Sequence, residues 1–169
     1  MKLYLLRHGE AVSEAEDPRR PLTDQGRRDA ASAGELLLRE GAAPSAIFHS
    51  GKARAVETAR FAADALPAAA PAPAPADGLG PNDPVEPWAE MLADEDRGLL
   101  LVGHLPFLER LASLLLCGDP DRGLVHIPTA GLVALGRDSG SASWHLLWSW
   151  GPGLAAPLKT ASRRRPNVL

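Results

Sequence analysis

Runs of apolar residues alternate with stretches of helical spacing along the first three quarters of the chain. Leu3 to Leu6 is a short apolar run, the pattern of a buried strand. After a polar loop containing Pro18 and Pro21, Thr23 is a good N-cap for a helix running through about Glu40. Ala30, Ala33 and Leu37 share one face of that helix, and Gly41 stops it. Ala46-Ile47-Phe48 predicts a second strand. A helix from about Ala53 to Leu66 follows, with Val56, Ala59, Ala63 and Leu66 as its buried stripe.

Pro67 to Ala76 is rich in Pro and Ala and reads as a surface loop in extended conformation. Val85 to Ala93 predicts a short helix. Leu99 to Val102 is continuously apolar, hence a central strand covered on both faces. Leu108, Leu111, Ala112 and Leu115 mark a further helix. Leu132 to Leu135 and Trp144 to Trp148 predict two late strands joined by a turn at Asp138 to Ser141. Together these elements predict an α/β fold, a three-layer sandwich with a mostly parallel central sheet flanked by helices. One domain spans residues 1–155, and residues 156–169, with Arg163-Arg164-Arg165, read as a poorly ordered tail.

Composition narrows the function classes. The 169 residues suit a single domain, and 45% hydrophobic content supplies a core. A net charge of −3 gives no electrostatic reason to expect nucleic acid or membrane as partners. One cysteine, Cys117, cannot form an internal disulfide, and the N-terminal apolar run is too short for a signal peptide. The expectation is a cytoplasmic protein.

In α/β sheets ligands gather beyond the carboxyl ends of the strands. Three such ends carry Arg7-His8-Gly9, His49-Ser50 with Arg54, and Gly103-His104. Arginine is always charged, and its planar fork matches phosphate oxygens. A neutral imidazole has one unprotonated nitrogen near pH 7 and can act as nucleophile. Gly9 permits close approach of substrate or backbone. Arg54 starts a helix, where free N–H groups also favour an anion.

Plainer readings cover other residues. His49 and His145 lack partners and read as ordinary packed or surface histidines, and His126 reads against a role. No His/Cys spacing suggests a metal, and no cofactor is implied. Cys117 and Arg122 loosely match a cysteine phosphatase loop, but Asp119 and Asp121 between them would repel phosphate.

Leu5-Leu6-Arg7-His8-Gly9-Glu10, Pro21-Leu22-Thr23 with Gly26, Ser50 with Arg54-Ala55 and Thr58-Ala59, and Val102-Gly103-His104 with Pro106 occur in that order. Together they resemble the histidine phosphatase superfamily, also called phosphoglycerate-mutase-like. The short chain and Arg20-Pro21-Leu22-Thr23 resemble its SixA-type phosphohistidine phosphatases. The resemblance implies that His8 takes the phosphoryl group while Arg7, Arg54 and His104 grip its oxygens. Gly9, Glu10 and Ser50 are further candidates for substrate binding, although Glu10 could equally just solvate the loop.

Two departures stand out. Ser50 is followed by Gly51 where the family usually has proline, a change a turn tolerates. Many members carry a glutamate as general acid and base; here the matching stretch, Asp77 to Asp83, has none. Asp77 or Asp83 could substitute, and the sequence does not choose between them. Phosphohistidine would suffer least from a missing acid, because its second ring nitrogen titrates near neutrality. No long insertion that could form a lid is visible, so a protein substrate could reach the site. The expected partner is a phosphorylated protein, such as a histidine phosphotransfer domain. The alternatives are a phosphatase of a small phosphate ester or anhydride, and a phosphate-binding protein without turnover.

Overall fold

The computed structural model describes residues 1–153. Its strands are β1 (Lys2–Arg7), β2 (Ala46–His49), β3 (Ala74–Pro75), β4 (Leu99–Gly103), β5 (Leu132–Arg137) and β6 (Trp144–Trp150). Its helices are α1 (Asp24–Arg39), α2 (Ala53–Asp64), α3 (Glu86–Ala93) and α4 (Phe107–Cys117). The sheet order is β3-β2-β4-β1-β5-β6. The first four of these strands run parallel; β5 is antiparallel to β1, and β6 to β5. The expected α/β sandwich with a mostly parallel sheet is therefore the fold. The expected tail lies outside the described residues.

Pleating sorts β1 between two cores. Leu3 and Leu5 pack with Phe107, Leu108 and Leu111 of α4 and Trp88 and Leu92 of α3. Tyr4 and Leu6 pack with Leu36 and Leu37 of α1 and Ala55, Ala59 and Ala62 of α2. β4 is buried along its whole length, as a strand in the middle of a parallel sheet should be. Thr23 caps α1 as expected, its hydroxyl accepting from the Gly26 N–H at 3.0 Å.

Two expectations need correction. The buried face of α2 is Ala55, Thr58, Ala59 and Ala62, and Val56 is exposed. The helix is so rich in alanine that apolar periodicity fits more than one face. Contact with α1 and the polar bonds of Thr58 select the observed one. The Pro/Ala stretch also contributes a strand: Ala74 and Pro75 pair with Phe48 and His49, and the Ala76 N–H reaches the His49 carbonyl at 3.0 Å. β3 lies at the sheet edge, where a proline costs no ladder bond.

Candidate active site

β1, β2 and β4 end on the same side of the sheet, and their parallel register sets the depth of each end. Arg7 pairs with Gly103, and His49 with Val102. His8, Ser50 and His104 therefore follow three neighbouring strand ends. The His8 and His104 rings lie 5.0 Å apart between centroids. The Ser50 hydroxyl is 2.6 Å from His104 Nε2. Arg54, in the first turn of α2, aims its Nε–H at His8 Nε2 across 3.3 Å. The four residues read from strand ends thus converge, with Ser50 beside them.

The tautomer of His8 follows from its neighbours. Its Nδ1 lies 2.8 Å from the Gly9 carbonyl, which can only accept, so Nδ1 carries the proton. Nε2 then holds the lone pair, and the Arg54 N–H pointing at it fits that assignment. Burial pushes His8 down to about 4; the Gly9 carbonyl opposes this, and Arg54, Arg7 and Arg20 add to it. Burial, then His8 and Arg54, push His104 down to about 3. Both rings are neutral near pH 7, so His8 presents a nucleophilic nitrogen.

The cations remain charged and keep donors for an anion. Arg7 spends one N–H on the Ile127 carbonyl at 3.1 Å, while its buried Nε has no partner among the described residues. Burial lowers Arg54, with Arg20 adding and Glu14 opposing, yet a guanidinium stays protonated. The buried His104 Nδ1 is likewise unpartnered among the described residues. Unpaired buried polar atoms are costly, and a bound group that pairs them would offset that cost.

The backbone around His8 is held from several sides. The His8 N–H donates to the Gly103 carbonyl at 3.0 Å, and its carbonyl accepts from Ala130 at 3.1 Å. The Gly9 N–H donates to Thr58 Oγ1 at 2.9 Å, and that hydroxyl donates to the Arg54 carbonyl at 2.6 Å. Thr58 is fully buried and so couples the His8 loop to the helix carrying Arg54. A Cβ on Gly9 would stand 2.7 Å from the Gly26 carbonyl oxygen, so the close approach foreseen there is to backbone.

Arg20 is the site residue that reading strand ends missed. An antiparallel bridge between Ala11 and Leu22, with Val12 N–H on the Pro21 carbonyl at 2.9 Å, folds the Arg20–Thr23 segment back onto the His8 loop. The Arg20 charge then bears on His8, Arg54 and His104 together. Its place in the Arg-Pro-Leu-Thr run was the available signal.

The remaining candidates stand as follows. Glu10 is exposed and accepts the Thr23 hydroxyl at 2.7 Å. Gly51 adopts φ +78°, a conformation proline cannot take, which accounts for the departure after Ser50. Asp77 and Asp83 line an open cleft of about 640 Å3 with Ser50 and Lys52. Asp83 accepts the Gly80 N–H at 2.7 Å, and the Asp77 carbonyl takes the Trp88 indole N–H at 3.2 Å. His49 is buried and accepts the Gly51 N–H, while His145 is exposed. Among the described residues no three His, Cys, Asp or Glu converge as metal ligands. No described helix is long and apolar enough to cross a membrane.

Known proteins share this fold. The family model of the histidine phosphatase superfamily (branch 1) matches residues 3–74. The structure of the protein histidine phosphatase SixA complexed with tungstate superposes with a TM-score of 0.76 at 23% identity, covering 90% of this chain and 97% of that one. A SixA protein from Agrobacterium tumefaciens gives 0.72 at 25%, covering 90% and 98%. A phosphoserine phosphatase from Entamoeba histolytica, holding phosphoserine, gives 0.65 at 16%, covering 88% and 95%. No curated protein matches. The matches agree with the resemblance carried by the motifs: residues 3–74 are similar to the histidine phosphatase superfamily model, and the fold is that of the SixA structures.

Proposed function

We propose that the chain removes phosphate from phosphohistidine in a signalling protein, through a covalent phosphoryl group on His8 Nε2. The observation that carries this reading is the pair of contacts on His8: Nδ1–H on the Gly9 carbonyl and Arg54 Nε at the free Nε2. Nε2 attacks phosphorus as the bond from phosphorus to the substrate's nitrogen breaks. The product His8 ring carries phosphate on Nε2 and a proton on Nδ1, hence a positive charge. Water then attacks phosphorus, the P–Nε2 bond breaks, and the ring departs neutral with Nδ1–H still in place. The two protons of that water finish on the phosphate and on solvent.

Arg7, Arg54, Arg20 and His104 supply the charge and hydrogen bonds for the transferring oxygens, the term that usually dominates such a reaction. No step needs a metal, because the neutralising charge comes from the chain's own guanidinium groups. The stretch from Asp77 to Asp83 has no glutamate, and Asp83 is engaged by a backbone N–H. Phosphohistidine tolerates that better than an alkyl phosphate, since its leaving ring is protonated near neutrality.

A second reading has its own observation. Asp77 and Asp83 share a cleft with Ser50, whose hydroxyl touches His104. An aspartic acid there would assist departure of an alkoxide, which suits a small phosphate ester. Purified protein assayed side by side on a phosphohistidine peptide, a phosphorylated phosphotransfer domain and sugar phosphates separates the two. Labelled substrate quenched without acid is expected to leave its phosphoryl group on His8. Label on another residue, or substantial turnover by His8→Ala, would remove the covalent step.

A further inference from the structure

We infer that Glu109 is a positioning residue for Arg7, acting through the backbone of Ile127. This rests on the proposed phosphoryl site, within which Arg7 binds the oxyanion. Arg7 ends a buried strand, and among the described residues the one hydrogen bond of its guanidinium runs to the Ile127 carbonyl at 3.1 Å. The peptide unit that places that carbonyl lies in a segment with no regular structure, between α4 and β5. Pro128 confines Ile127 to extended backbone, but no helix or strand hydrogen bond holds the peptide in place.

Glu109 supplies what the segment lacks. Its Oε1 accepts the Ile127 N–H at 2.8 Å and lies 3.1 Å from His126 Nδ1. One residue therefore has its N–H held by Glu109 and its carbonyl held by Arg7. The Ile127 side chain is fully buried in the core with Leu5, Phe107 and Leu108, which pins the same residue from a third direction.

The origin of Glu109 matters as much as its contact. It lies in the first turn of α4, the helix that begins just past His104. The Leu108 N–H donates to the His104 carbonyl at 3.0 Å, so the helix start and His104 move as one piece. A carboxylate in a first turn is favoured by the helix dipole and its free N–H groups. Glu109 thus transmits the position of the β4 end, through Ile127, to Arg7 at the β1 end. The β1 and β4 ends already share the backbone bond from His8 to Gly103, and Glu109 adds a second link, to the Arg7 side chain.

His126 is mostly exposed and adds charge to the pair only when protonated, so the neutral contact to Ile127 carries the inference. The Glu109 carboxylate is also flanked by its own helix neighbour Arg110, which is engaged with Asp121 at 3.0 Å. Glu109→Gln keeps an oxygen that can accept the Ile127 N–H. Glu109→Ala removes it, and Glu109→Asp draws it back by one methylene.

The test uses the full chain with tungstate as the oxyanion, its affinity measured by calorimetry, and thermal unfolding followed in parallel. Glu109→Ala is expected to weaken tungstate on the order of tenfold, since small misplacements of a positioned group cost this much or more. Glu109→Gln is expected to stay within about twofold of the native chain on the same grounds. In a cycle with Arg7→Ala, the double variant is expected to bind no more weakly than Arg7→Ala alone. Additive losses would overturn the inference, because Glu109 would then act independently of Arg7. If Glu109→Ala does not fold, Glu109→Asp carries the same cycle with the same expectation. If Arg7→Ala itself binds tungstate normally, the phosphoryl site falls and this inference with it. If only the Glu109 variants bind normally, the site stands and this inference alone fails.

Discussion

Arg54 points its Nε–H at His8 Nε2, the nitrogen that the Gly9 carbonyl leaves unprotonated, across 3.3 Å. If His8 is the nucleophile and Arg54 part of its clamp, as proposed, this alignment leads to specific expectations.

Arg54→Ala is expected to lower turnover of p-nitrophenyl phosphate by roughly a hundredfold or more, the usual consequence of losing one preorganised donor worth about 2.7–4 kcal/mol. Arg54→Lys should recover only part of this, because a point charge cannot replace a planar fork. A loss below about fivefold, the scale of an ordinary surface charge, would place Arg54 outside the site.

Activity should persist well below the ordinary histidine pKa. Burial, aided by Arg54, Arg7 and Arg20, holds His8 at about 4. Protonation of Nε2 removes the lone pair, so the acid limb of kcat/KM should fall near 4 once the substrate's own titration is corrected for. An acid limb near 6.5, the ordinary value, would mean His8 is as solvated as a free histidine.

Stability should fall as pH drops through the same window. The unfolded chain takes up a proton on His8 near the ordinary 6.5, while the folded chain resists until about 4. Between those values the unfolded state binds more protons, so stability is highest above the window and declines across it as pH falls. His104 extends the decline toward about 3. Urea unfolding near neutrality and at about pH 5 should show His8→Asn gaining on the native chain by on the order of 2 kcal/mol at the lower pH. An equal difference at both pH values would contradict the burial of His8.

Arg20→Ala should raise KM roughly fivefold, as expected for one partly screened charge. It should also move the acid limb upward, because the Arg20 charge helps to hold His8 down. A KM change with an unmoved limb would place Arg20 in substrate contact yet away from His8.

Rate should fall steeply with leaving-group basicity if neither Asp77 nor Asp83 donates a proton. Phosphohistidine and p-nitrophenyl phosphate should turn over, and aliphatic phosphates poorly. A flat dependence, abolished selectively for alkyl phosphates by Asp77→Asn or Asp83→Asn, would favour the small-ester reading.

The sequence by itself determined five of the six strands, the capped first helix and the four residues that converge beyond the sheet. Leu3–Leu6 and Leu99–Val102 are local apolar runs, and a strand end is legible wherever such a run stops at Arg7-His8 or Gly103-His104. Those signals are short in range, so one sequence carries them. The buried face of α2 was not legible, because its alanines satisfy more than one helical stripe; packing on α1 and the bonds of Thr58 decided it. The β3 strand was hidden because proline has no N–H to advertise pairing, and only the neighbouring β2 edge gave Ala74–Pro75 a partner. Arg20 entered the site through a bridge between Ala11 and Leu22, and Glu109 reached Arg7 through Ile127. Both depend on hydrogen bonds between residues far apart in sequence or in loops without periodicity. Such bonds leave no pattern along the chain, so only the tertiary structure could decide them.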